Sequence, residues 1–319
     1  MKIIRKNMSY ICKYKFTNKM FIKYSPKQLK YMKQSLKKVI NNYSISTIDC
    51  ITYLRKYYNG NLENAMNSIT DEEANQIRFN CIYQSKILKE LLLKEGIFGY
   101  YVSYKSINFT TLKADALIKE SHTSIFIPTI INKKKCLIIL EPGLKIDKPI
   151  YLFDDVYNEK DDNLKIKIGK TNNKKYPFYL LLDGINKYSY NPNPHQVYQE
   201  FDIKYYTINP IKLLIPHIYK YISGYRATNF SLDIAKRMSL TILPVKEKIE
   251  IYIDKEKELF QYSYDEINRA MLLKILPKVC KNLDLNLQET IDNILFMKKI
   301  RKEFIEMMDK NALKIYLGK

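Results

Sequence analysis

A cysteine at position 81, a histidine 41 residues on and a glutamate 19 residues further are the residues of this 319-residue chain whose types and spacing could do covalent chemistry. Cys81 opens a stretch of helical periodicity, so the sequence places it at a helix N-terminus, where the positive end of the helix dipole stabilises a thiolate. A thiolate nucleophile wants an imidazole to carry its proton, and the imidazole wants an acceptor that holds its tautomer. His122 and Glu141 have the types for those two roles. The other cysteines, Cys12, Cys50, Cys136 and Cys280, read as apolar or strand positions, and no CxxC pair or metal-ligand spacing occurs. His195 and His217 each follow a proline and read as loop residues. No phosphate-cradling GxxxxGK or GxGxxG is present.

The elements that must position these residues follow from periodicity. Residues 26–58 read as helical: Ser25-Pro26 opens a helix carrying Leu29, Met32, Leu36 and Ile40, and a second one starts near Ser46, carries Ile48, Ile51, Leu54 and Tyr58, and ends at Asn59-Gly60. Residues 61–75 read as helix plus loop. From Cys81, the residues Ile82, Ser85, Leu88, Leu91 and Leu92 predict a helix closed by Gly96. The character then changes to β-branched and aromatic runs over 99–105, 123–131 and 136–140. Residues 154–175 read as a polar surface excursion, 176–182 and 197–208 as strands, and 191–194 as a turn. The remainder reads as a helix over 211–221, a hairpin of 239–243 with 248–254, and helices over 263–276 and 287–308. This is an α+β chain: N-terminal helices, a central antiparallel sheet or barrel-like core with the cysteine helix packed on it, and a helical C-terminal region. The expected segments are 1–75, 76–210 and 211–319.

The hairpin after His122 has two possible turns. A two-residue turn at Asn132-Lys133 pairs positions summing to 265, which sets Glu141 opposite Ser124 and diagonal to His122 at about 7–8 Å between backbones. A four-residue turn sets Glu141 opposite Phe126 instead, too far from His122 without a bulge.

A formal charge of +21 suggests an anionic partner, but its distribution is uneven. Residues 1–60 hold fourteen Lys/Arg against one acid, Asp49, a net +13, which leaves +8 for the remaining 259 residues. The charge therefore belongs to an N-terminal arm, which suits an anionic partner for residues 1–60, a targeting segment or a solvated basic surface. With 46% hydrophobic and 27% charged residues, a wholly disordered chain is excluded. No run approaches the roughly 20 apolar residues of a membrane-spanning helix. Five scattered cysteines fit a reducing compartment, and a cytoplasmic location is the expectation.

The order of a helix-start cysteine, a strand histidine and a strand acid resembles the transglutaminase-like superfamily of papain-type folds. The residues that carry the resemblance are Asn80-Cys81-Ile82-Tyr83-Gln84-Ser85, Gly99-Tyr100-Tyr101-Val102, Ser121-His122-Thr123 and Leu140-Glu141-Pro142-Gly143. Within that superfamily the arylamine N-acetyltransferases are similar in layout over roughly residues 70–260, through Pro149-Ile150-Tyr151-Leu152, Glu200-Phe201-Asp202 and Tyr206-Thr207-Ile208-Asn209-Pro210. The chain departs from them at Ile77-Arg78-Phe79-Asn80, where they have Arg-Gly-Gly and one further residue, and at Glu141, where they have aspartate.

The resemblance implies acyl transfer through a thioester on Cys81, with His122 as base and Glu141 as orienting acid. It implies a small-molecule or peptide acyl donor, acyl-CoA among the possibilities, an amine acceptor, and no required cofactor or metal. As in papain-type sites, the Gln76 amide is the candidate oxyanion donor. A cysteine peptidase or amidase of the same fold, and a non-catalytic binding module with a basic arm, are the alternative readings.

Overall fold

A computed structural model describes residues 18–78, 80–106, 122–143, 145–153, 165–170, 178–183, 196–202, 225–229, 238–253 and 258–316. The helices are α1 (Pro26–Asn42), α2 (Asp49–Tyr57), α3 (Leu62–Ser68), α4 (Asp71–Gln76), α5 (Asn80–Lys94), α6 (Arg269–Leu283) and α7 (Leu287–Tyr316). The strands are β1 (Ile45–Ser46), β2 (Tyr100–Ser106), β3 (His122–Ile131), β4 (Lys134–Leu140), β5 (Ile150–Phe153), β6 (Lys165–Lys170), β7 (Phe178–Asp183), β8 (Gln196–Asp202), β9 (Tyr225–Asn229), β10 (Met238–Leu243), β11 (Lys248–Ile253) and β12 (Glu258–Ser263). The fold is α+β, with helices at both ends and two antiparallel sheets. The chain divides into two compact units, one of residues 1–40 with 84–207 and the other of residues 41–83 with 208–319.

The first unit is built on a seven-stranded sheet in the order β5-β4-β3-β2-β8-β7-β6. In β4 every residue from Cys136 to Leu140 is buried, as expected of a strand covered on both faces. Helix α1 buries Met32, Leu36, Val39 and Ile40 and leaves Lys27, Lys30, Lys33 and Lys38 exposed, so this part of the basic arm is the polar face of an amphipathic helix. Each such buried aliphatic contributes about 1.5–3 kcal/mol. Tyr31 Oη donates to the Leu91 carbonyl at 3.3 Å and Gln28 Nε2 to that of Glu95 at 3.0 Å, tying α1 to α5. Helix α5 ends as predicted: Gly96 has φ +67°, its N–H bonds the Leu93 carbonyl, and Ile97 N–H bonds that of Leu92, both at 3.0 Å.

The β3–β4 connection is the two-residue turn. Ile131 faces Lys134 and Ile125 faces Leu140, so paired positions sum to 265. Asn132 and Lys133 have φ of +50° and +62°, the left-handed pair that such a turn requires. Asparagine adopts this conformation readily and lysine only at a cost. Lys133→Gly is therefore expected to stabilise the protein by about 0.5–1 kcal/mol, read as a higher urea midpoint; an unchanged or lower midpoint contradicts the strain at this residue.

Within the polar excursion of 154–175, residues Lys165–Lys170 form β6, paired with β7, whereas the sequence reading made the whole stretch a loop. The residues proposed as a turn at 191–194, the helix over 211–221, His195, His217, Cys12 and residues 1–17 lie outside the described residues.

The second unit has a five-stranded sheet in the order β1-β9-β10-β11-β12. Ile51, Leu54, Leu240, Ile242, Ile249, Leu272, Leu276, Ile294, Met297 and Phe304 belong to its apolar core. Two expected helix starts move. Ser46 is strand, because β1 pairs with β9, and α2 begins at Asp49. Ser263 ends β12, and α6 begins after Asn268, whose side chain accepts the Met271 N–H at 3.0 Å. Among the described residues no helix is long and apolar enough to cross a membrane.

Candidate functional site

Cys81 is the second residue of α5 and is 4% exposed. It belongs to the same apolar cluster as Ile77 and Ile82. Helix α5 runs through the division between the units: residues up to Tyr83 fall in the second and those from Gln84 onward in the first. Placement at a helix start is not unique to Cys81, contrary to the sequence reading. Cys50 is the second residue of α2, yet burial, reinforced by the charge of Asp49, pushes its thiol well above the ordinary range. Desolvation there outweighs the helix dipole. Burial also pushes the Cys280 thiol up, and Cys136 is fully buried within β4. None of the four described cysteines is in a disulfide.

His122 is the first residue of β3 and pairs with Tyr104 of β2. Glu141 follows the last residue of β4. Because Leu140 pairs with Ile125, the register carries Glu141 to the level of Ser124, two residues from His122. Both Glu141 and Ser124 are fully buried. A carboxylate without exposure is costly unless hydrogen bonds or charges compensate it. The chain turns back immediately: Ile146 N–H bonds the Glu141 carbonyl at 3.2 Å and Lys145 N–H that of Pro142 at 3.1 Å. His122, which opens β3, and Glu141, which follows β4, thus lie at the same end of one hairpin.

One turn beyond Cys81, α5 carries two polar residues without exposure, Gln84 and Ser85. Ser85 Oγ donates to the carbonyl of Thr123, the residue after His122, at 3.1 Å. Gln84 Oε1 accepts a hydrogen bond at 3.2 Å from the ammonium of Lys145, itself only 6% exposed. The sequence reading missed these three. Its one available signal was the pair Gln84-Ser85 interrupting the apolar stripe of a buried helix.

Gln76, the candidate oxyanion donor, is the last residue of α4 and is exposed. Its Oε1 accepts from the Tyr53 hydroxyl at 3.2 Å. Among the described residues no group of three or more His, Cys, Asp or Glu could hold a metal ion.

No protein-family model matches the chain, and no curated protein matches it in sequence. In structure it is similar to arylamine N-acetyltransferases. One, from Bacillus cereus and described as having a Cys-His-Glu catalytic triad, is 11% identical with a TM-score of 0.45, over 86% of this chain and 97% of that one. Arylamine N-acetyltransferase C of Bacillus anthracis is 12% identical with a TM-score of 0.48, over 89% and 98%. The Mycobacterium marinum enzyme in complex with CoA is 9% identical with a TM-score of 0.47, over 83% and 92%. At TM-scores below 0.5 none of these bears on activity, and the functional reading rests on the chain's own residues.

Proposed function

We propose that the chain is a cysteine-nucleophile enzyme that transfers an acyl group through a thioester on Cys81, with His122 as proton carrier and Glu141 as the acid that orients it. Cys81 Sγ attacks the acyl carbonyl while His122 takes the thiol proton, and the collapsing intermediate expels the donor's leaving group, which receives that proton. An amine then attacks the thioester. His122 removes the amine's proton and returns it to the departing sulfur. Backbone N–H groups at the start of α5 are the natural donors to the oxyanion. The exposed Gln76 amide is a second candidate for that role.

The observation that carries this reading is the buried Ser85 Oγ bond to the Thr123 carbonyl. It ties the helix that carries the thiol to the backbone beside the imidazole, on a strand whose hairpin register sets a fully buried carboxylate two residues away. A small apolar core cysteine needs neither.

The test is intact-protein mass spectrometry after mixing the full chain with acetyl-CoA or p-nitrophenyl acetate, followed by an arylamine. A single acyl adduct that maps to Cys81, is absent from Cys81→Ala and is discharged by the amine is the expected result. Discharge at the same rate by water alone makes the protein a hydrolase of the peptidase or amidase kind. No adduct with either donor, or the same adduct in Cys81→Ala, leaves a non-catalytic module.

A further inference from the structure

A lysine ammonium with 6% exposure is rare, because desolvating a charge is expensive unless hydrogen bonds hold it. Lys145 is such a residue. It adopts φ +62° within the tight turn closed by the Glu141–Ile146 and Pro142–Lys145 bonds. Its Nζ reaches Gln84 Oε1 on α5 at 3.2 Å. Two residues on, Asp147 is paired with Lys37 of α1 at 3.3 Å, which anchors the far side of the same turn. The adjacent Ser85 bonds β3 beside His122. Consecutive residues of the cysteine helix therefore grip the two strands of one hairpin, Ser85 at the histidine strand and Gln84 at the exit of the acid strand.

We infer that Lys145 is a positioning residue: through Gln84 it clamps the turn after Glu141 to α5 one helical turn beyond Cys81, and so sets the reactive placement of the thiol. The inference rests on the acyl-transfer reading for its catalytic meaning. Lys145 needs no contact with substrate. Its ammonium acts through Gln84, and a misplacement on the order of 1 Å costs about 100-fold in a reaction that depends on alignment.

The test compares wild type, Lys145→Met, Gln84→Leu and the double variant by two rates. One is alkylation of Cys81 by iodoacetamide, followed by peptide mass spectrometry across pH. The other is acylation by p-nitrophenyl acetate under single-turnover conditions. Each single variant is expected to slow both rates about 10- to 100-fold on the plateau of the pH profile, and the double variant to be no slower than either single one. If Lys145 and Gln84 only stabilise the fold, loss of the pair loosens it, and Cys81 is alkylated faster. That outcome overturns the inference. A displaced pH midpoint with an unchanged plateau overturns it too, because the ammonium then acts on the thiol by charge and not by placement. Multiplicative losses in the double variant remove the link between the two residues. Alkylation needs no acyl donor, so the two readings fail separately. If the wild type acquires no acyl group but the variants still slow alkylation, acyl transfer fails and the clamp stands. If acylation proceeds unchanged in Lys145→Met, the clamp fails and acyl transfer stands.

Discussion

His122→Ala is expected to slow acylation of Cys81 about 10²- to 10⁴-fold, the usual contribution of a positioned general base. Glu141→Gln is expected to fall in the same range, up to about 10⁴-fold as in other triads whose acid becomes an amide. The reason is specific to the acid's environment. On the proposed mechanism Glu141 is the imidazole's acceptor, and its full burial leaves no water to replace it. Glutamine has nearly the same volume but carries donors as well as an acceptor, so it no longer enforces the tautomer that leaves the other ring nitrogen free to accept a proton. The readout is therefore acylation set against the folded fraction, so that a loss of chemistry is split from a loss of fold. That split separates an orienting role from a structural one. Single-turnover acylation with p-nitrophenyl acetate, alongside urea denaturation, provides both readouts. A Glu141→Gln variant within threefold of wild type in acylation, or one that loses activity only in proportion to lost folded protein, removes Glu141 from the mechanism. A His122→Ala variant within threefold does the same for the histidine.

How much of this could be read from residues alone depended on whether the signal was local. Helix α5 and its glycine end were visible because the apolar period and Gly96 lie within one stretch. The hairpin was visible as two candidate registers, and Asn132 with Lys133 in the left-handed region decides between them. Strand β6 was not visible. Ile166 and Ile168 alternate with lysines in a charged excursion, and only pairing with β7 makes that alternation a strand. Strand β1 is two residues long and owes its existence to β9, some 180 residues away in the chain. The cysteines give the sharpest lesson. Cys50 and Cys81 share the helix-start placement, and burial beside Asp49 drives the Cys50 thiol upward, which the dipole argument alone does not foresee. Lys145 escaped for the same reason: in sequence a buried lysine is indistinguishable from the surface lysines around it, and only the fold sets its Nζ against Gln84 of α5.

The stretch before Cys81 that departs from the acetyltransferase pattern has work of its own, and Arg78→Ala is expected to lower stability by about 2–4 kcal/mol. Arg78 Nε donates to Asp49 Oδ2 at 2.8 Å and Nη2 to Oδ1 at 3.1 Å, a two-pronged pair. Its Nη1 donates to the Asp284 carbonyl at 2.7 Å and to Ser44 Oγ at 3.1 Å, so it also satisfies the end of α6, where Asp284 takes φ +54°. Its own carbonyl accepts the Ser46 N–H at 2.7 Å. The side chain therefore joins the first turn of α2 to the C-terminus of α6, and the backbone carbonyl adds strand β1, three residues before the nucleophile. Truncating it leaves the part-buried Asp49 carboxylate without its cation, held by the Ser46 hydroxyl at 2.8 Å. A fully buried pair broken this way loses about 3–5 kcal/mol, and the 17% and 22% side-chain exposure of the two partners reduces that. Lysine cannot reproduce the fork, so Arg78→Lys should recover less than half of the loss. In Asp49→Asn the Arg78→Ala substitution should cost less than in wild type, because the partner charge is already gone and only the bonds to Asp284 and Ser44 remain to be lost. Urea unfolding of wild type, the three single variants and the double variant measures this. A loss below about 1 kcal/mol in Arg78→Ala, or full recovery with lysine, means the guanidinium geometry is not what holds the approach to Cys81.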